Sequence, residues 1–72
     1  MIIAREGKIE AARGELGYTK GDLAEKSGIS RQRVSAIEFR GEPTGAQNAK
    51  KICDALGKSF DELFQVVQKE KK

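Results

Sequence analysis

Apolar residues recur at spacings of three and four along most of this chain, the period of a helix with one face turned inward. Ile9, Ala12 and Leu16 mark the first such face, on a helix expected from about Glu6 to Leu16. Leu23 and Ala24 mark a second over about Lys20 to Lys26, and Val34 and Ile37 a third over about Arg31 to Phe39. Ala49, Ile52, Cys53 and Leu56 give a fourth stripe on about Gly45 to Leu56, and from Phe60 the residues Leu63, Phe64 and Val67 continue the same period. Polar punctuation agrees with these limits. Thr19, Ser30, Thr44 and Ser59 each precede a helix-forming stretch, where a side-chain oxygen can accept from an orphan N–H. Gln47 after Thr44 and Glu62 after Ser59 complete the pattern of a reciprocal capping box, and Asp22 after Thr19 offers a weaker acidic version. Gly17, Gly28, Gly41 and Gly57 stand where a helix must stop. Gly7 and Gly14 weaken the first helix, by about 1 kcal/mol each relative to alanine if interior. The pattern predicts an all-α fold of five short helices with its core at about residues 6–67. It requires no strand, and Ile2-Ile3 is expected to form at most a brief extended arm.

Length and composition narrow the chemistry. Seventy-two residues, 38% hydrophobic and 35% charged, hold one core and leave no room for a second domain. No run approaches the ~20 apolar residues of a membrane span, and Met1-Ile2-Ile3-Ala4 is too short for a signal-peptide apolar region, so a cytoplasmic location is expected. A single cysteine and no histidine exclude an internal disulfide, the usual zinc ligands and any Ser-His-Asp or Cys-His nucleophile. No glycine-rich phosphate loop is present. The expectation is a chain that is not an enzyme and uses no metal or cofactor. Cys53, with nothing nearby in sequence to lower its pKa, is expected to be a buried small hydrophobe. The net charge is +3, and its distribution matters more than its size: residues 19–41 carry five basic and three acidic groups. The tail, residues 68–72, reads as a frayed basic end.

The stretch from Lys20 to Ser35 carries the informative spacing. Two helices joined by a short turn need a small residue where their backbones approach and a glycine where the chain reverses, which Ala24 and Gly28 supply. Ile29 can plug the gap, and Val34 with Ile37 seats the next helix. Gln32, Ser35, Ala36 and Phe39 are then expected on the opposite side, with Arg31 and Arg33 on the flanks. In order and separation these residues resemble the phage repressor and Cro-like helix-turn-helix family, also called the xenobiotic-response-element type. The resemblance runs from about residue 9 to residue 64. It rests on Arg13, Gly17-Tyr18-Thr19, Leu23-Ala24-Glu25-Lys26, Ser27-Gly28-Ile29-Ser30, Val34-Ser35, Ile37-Glu38, Ala55-Leu56-Gly57, Ser59 and Asp61-Glu62-Leu63. It implies a compact five-helix lambda-repressor-like domain whose second and third helices form the motif. The third helix would enter the major groove of double-stranded DNA, with its first, second and sixth residues, Arg31, Gln32 and Ala36, touching base edges. It also implies an ion pair between Arg13 and Glu38 that ties the first helix to the end of the third.

The side chains suit those roles. Arg31 can fork onto guanine O6 and N7, Gln32 can pair with adenine N6 and N7, and Ala36 can pack on a thymine methyl. Thr19, Lys20, Arg33, Ser35 and Arg40 are the expected phosphate contacts. Three departures qualify the resemblance. Lys20 stands where the family usually has glutamine, so a point charge replaces a two-sided hydrogen-bonder. Glu38-Phe39-Arg40-Gly41 has one residue more before its glycine than the common form, and Phe39 is expected to fold back onto the core, the alternative being an exposed partner contact. Glu42-Pro43 replaces basic residues, so that loop is expected to touch DNA weakly. The resulting expectation is a sequence-specific DNA-binding transcriptional regulator, a repressor acting as a homodimer on a partly palindromic operator, with Val66 available as a dimer contact. Its regulation is expected to come from concentration, proteolysis or a separate protein partner. The alternative is a protein-interaction module, an antitoxin or adaptor that keeps the fold and has a toxin or regulator as partner. A hydrolase is disfavoured, because Asp22, Glu25 and Glu38 are accounted for by capping, solvent exposure and the ion pair.

Overall fold

Hydroxyl caps set three of the helix starts. Thr19 Oγ1 accepts from the Asp22 N–H at 3.0 Å while the Thr19 N–H donates to the Asp22 carboxylate at 2.9 Å, a complete reciprocal box. Those bonds hold the Asp22 pKa below its ordinary value, the backbone N–H of Thr19 contributing most. Ser30 and Ser59 accept from the N–H groups of Arg33 and Glu62. A computed structural model describes residues 1–68, and the frayed tail expected at 68–72 lies outside them from residue 69 on. The elements in order are β1 (Ile2–Ala4), α1 (Lys8–Leu16), α2 (Lys20–Ser27), α3 (Arg31–Phe39), α4 (Ala46–Leu56), α5 (Phe60–Leu63) and β2 (Phe64–Val66).

Among the described residues, five helices pack around one core of Ile9, Ala12, Leu23, Ile29, Val34, Ile37, Ala49, Ile52, Cys53, Leu56, Leu63 and Phe64. Each stripe anticipated from the spacing contributes to it. Leu16 is the exception on α1: at the last helical position it is 47% exposed. Burial raises the Cys53 thiol pKa, so Cys53 is a protonated small hydrophobe. No helix among the described residues is long and apolar enough to cross a membrane.

Two expectations about the ends are corrected. The last helix stops at Leu63, and at Phe64 the backbone turns extended with φ −132° and ψ 166°. Phe64 to Val66 then pairs antiparallel with Ile2 to Ala4, in the register Ile2 to Val66, Ile3 to Gln65 and Ala4 to Phe64. The purely helical description is therefore approximate, and the core extends to Ile2 and Ala4, which pack against it. Short apolar runs fit either period, and the strand won because its hydrogen-bonding partner lies some sixty residues away at the other end of the chain. Thr44 is the second correction. It is no helix cap but a buried residue whose N–H donates to the Ile2 carbonyl at 2.9 Å, while Gly45 takes the cap position. The capping box expected with Gln47 does not form because Thr44 lies one residue before the cap position, and its Oγ1 donates to the Gly45 carbonyl instead.

Candidate nucleic-acid interface

The turn between α2 and α3 is built by three side chains and one backbone conformation. Ser27, only 8% exposed, donates its hydroxyl to the Ala24 carbonyl at 3.3 Å and accepts from the Ile29 N–H at 3.3 Å. Gly28 closes α2 at φ 75°, a left-handed value costly for other residues. Ile29 is buried in the gap, and Val34 and Ile37 are buried from the far side. One flank of α3 is thereby fixed to the core and the opposite flank faces outward.

Lys20, Arg31, Gln32, Ser35, Phe39 and Arg40 line one open hollow of about 610 Å³ on that outward flank. Five residues expected to contact DNA are brought together there. The Arg31 guanidinium rests against Gly21, where a methyl group would stand 3.0 Å from its Nη2. Sequence reasoning missed Gly21. The available signal was a glycine inside a helix, a choice costing about 1 kcal/mol that asks for a packing reason. Thr19 caps α2 beside Lys20, and its hydroxyl hydrogen is the donor it retains beyond the cap.

Phe39 corrects the expectation that it would join the core. It is 51% exposed, and the Lys20 ammonium sits over its ring, 4.9 Å from the centroid. The core was already filled by Val34, Ile37 and Phe64, whereas Lys20 offers the ring a cation–π partner at the surface. Ala36 is corrected in the opposite sense. Expected on the open face, it is 3% exposed, at the edge where α3 meets the following loop. The Glu42 N–H donates to the Ala36 carbonyl at 3.1 Å and folds that loop back along the helix, leaving Ala36 at the floor of a second open hollow shared with Gln32, Arg33 and Glu42.

The same fold-back engages Arg33 and Arg40. Arg33 Nη1 lies 3.1 Å from Glu42 Oε1, its Nη2 donates to the Pro43 carbonyl at 2.6 Å, and Arg40 Nη2 lies 3.2 Å from Glu42 Oε2. Glu42 therefore occupies two guanidinium groups expected on phosphate, and the Glu42-Pro43 loop braces α3. Nothing periodic in the sequence signals this bridge, because its members lie nine and two residues apart on either side of a helix end.

Arg13 and Glu38 meet across the domain. Arg13 Nη2 is 2.6 Å and Nε 3.1 Å from Glu38 Oε2, and Arg13 Nη1 donates to the Tyr18 carbonyl at 3.1 Å. The side chains are 11% and 2% exposed, so the fork geometry is made largely away from water. This pair anchors the C-terminal end of α3 and sets the direction in which its outer face points.

Comparison with known proteins gives this arrangement its family. The helix-turn-helix family profile matches residues 9–63, which takes in α1 from its second residue through α5 and leaves both strands outside. The chain is also similar to an uncharacterized HTH-type transcriptional regulator, YgzD, of Bacillus subtilis (strain 168). The two are 32% identical over 59 residues, covering 82% of this chain and 89% of that protein. With the match spanning the capped hook, the plugged turn and the helices that hold them, this chain belongs to the helix-turn-helix family, of the phage repressor and Cro-like type.

Proposed function

We propose that this chain is a sequence-specific DNA-binding transcriptional regulator, a repressor that places α3 in the major groove as a homodimer. The observation that carries the reading is the outer flank of α3. It presents the forked donor Arg31 and the amide Gln32 together in one hollow, with the cations of Lys20 and Arg40 at its edges. Bidentate pairing of Arg31 with guanine and of Gln32 with adenine would each discriminate by about 1–3 kcal/mol. Lys20, Thr19 and Ser35 are assigned to phosphate, where they hold register without reading sequence. Ala36, 3% exposed, is given no part in this assignment, and Arg33 and Arg40 contribute once they leave Glu42. A helix of nine residues reads few base pairs, so two copies about one helical turn apart on a partly palindromic site supply the missing affinity. The name of the YgzD relative, a transcriptional regulator, supports the same class.

Selection of bound duplexes from a random pool tests the proposal, since it reads binding, symmetry and half-site spacing together. On the selected site, Gln32→Ala is expected to change which bases are preferred, whereas Lys20→Ala weakens all sequences alike and flattens the salt slope. Identical behaviour of the two variants would refute this division of roles.

Glu42 makes a separate prediction. Replacing its carboxylate by an amide in Glu42→Gln releases two guanidinium groups toward phosphate. Binding to a random-sequence duplex should tighten, and the log–log salt slope should steepen by about 0.9 for each phosphate newly engaged. Fluorescence anisotropy across a salt series reads both quantities, and an unchanged slope would mean the two arginines stay on the loop.

The exposed Phe39 favours a second reading, in which this face receives another protein. The salt series separates the two. An apolar protein contact hardly responds to salt, whereas duplex binding falls steeply through counterion release.

A further inference from the structure

We infer that Phe39 is a base-reading residue that packs on the 5-methyl group of a pyrimidine in the major groove. The inference rests on the DNA-binding reading above and extends it to a side chain that the family resemblance did not assign. Three observations carry it.

Phe39 shares the hollow with Arg31, Gln32 and Ser35, and among the described residues no other large apolar side chain lines it. It lies on the same stripe of α3 as Gln32 and Ser35, seven and four residues further on, so a surface that meets the first two extends to the third. Its surroundings are cationic: Lys20 stands over the ring, and Arg31 and Arg40 share the rim. An apolar protein surface docking here would have to desolvate those charges, whereas a duplex neutralises them with phosphate. The apolar feature that a duplex offers at that depth is the C5-methyl of thymine, or of 5-methylcytosine. Ala36, 3% exposed, offers little surface for packing on such a methyl, whereas Phe39 is 51% exposed.

The geometry also sets the position. Seven residues of helix advance about 10.5 Å, close to three base-pair steps of 3.4 Å. Phe39 therefore meets its pyrimidine within about three base pairs of the one read by Gln32. Lys20 holds the ring from one side, which fixes its tilt and leaves the rest of the aromatic edge to the base.

The experiment is a chemical double-mutant cycle on the selected duplex. Each thymine is replaced in turn by uracil, which deletes the methyl and keeps every hydrogen-bonding group. A second series replaces cytosines in the same window by 5-methylcytosine, which separates the two sources of the methyl. Wild type is expected to lose about fourfold in affinity at one position per half-site, the worth of one buried methyl. Phe39→Ala is expected to bind the thymine and uracil duplexes equally, and Phe39→Leu to retain part of the difference. Truncating a half-exposed ring leaves the core untouched, and circular dichroism verifies that both variants fold. Methyl sensitivity absent at every position, or persisting in Phe39→Ala, would overturn the inference while leaving salt-dependent duplex binding, and the regulator reading, intact. Loss of self-association in Phe39→Ala without a change in methyl sensitivity would assign the ring to a protein contact and overturn it as well. Failure to bind any duplex would overturn both readings together.

Discussion

Arg13→Ala is expected to lower the melting temperature by more than about 12 °C. The substitution leaves the Glu38 carboxylate, 2% exposed, without its guanidinium partner, and it strips a hydrogen bond from the Tyr18 carbonyl. Breaking a buried pair from one side costs about 3–5 kcal/mol, because the remaining charge stays desolvated. In a domain of this size each kcal/mol moves the midpoint by about 4–8 °C. Lys8→Ala, at an exposed position on the same helix, is the control and should shift stability by no more than about 0.5 kcal/mol. The double variant Arg13→Met with Glu38→Leu replaces both charges by apolar groups of similar length and should recover most of the loss. Differential scanning calorimetry of the four proteins decides the matter. Equal midpoints for Arg13→Ala and Lys8→Ala would show that the pair does not anchor α3.

Phe64→Ala should be about as damaging, for a different physical reason. The ring is fully buried where β2 leaves α5, and it stacks on Phe60 with centroids 5.6 Å apart. Removing a buried phenylalanine costs about 3–5 kcal/mol through lost transfer free energy and the cavity left behind. Val66→Ala, two residues on along the same strand and 61% exposed, should be close to neutral. Phe39→Ala should also be close to neutral for stability, because Phe39 lies at the surface. Urea unfolding midpoints at constant m-value report the ranking. A Phe64→Ala protein as stable as Phe39→Ala would mean that the strand and its ring contribute nothing to the core.

The two phenylalanines show how far the sequence reaches. Spacings of three and four placed Leu23, Val34, Ile37, Ile52 and Leu56 inside, and Thr19, Ser30 and Ser59 at helix starts, because both signals are local and repeat within a turn or two. The hook formed by Ala24, Gly28 and Ile29 was legible for the same reason, and with it the outward position of Arg31 and Gln32. Arg13 and Glu38 lie twenty-five residues apart, so only the family resemblance links them in the sequence, and the fold brings them to 2.6 Å. Phe39 and Phe64 each stand at the end of a helix: spacing placed Phe64 inside but not in a strand, and it did not reveal that Phe39 stays outside.

By itself the sequence determined the five helices, the hook and the identity of most core residues, since these follow from local propensity, capping and one-sided burial. Contacts between distant segments decided the rest. Pairing of Ile2–Ala4 with Phe64–Val66 made strands of both chain ends, since a ladder needs a partner that no local window contains. The return of Glu42 along α3 bonded the loop to the Ala36 carbonyl and engaged Arg33 and Arg40. Occupation of the core by other side chains left Phe39 outside beneath Lys20. Which groups remain exposed for recognition depends on what the completed packing has already covered, a property of the whole domain that no single helix carries.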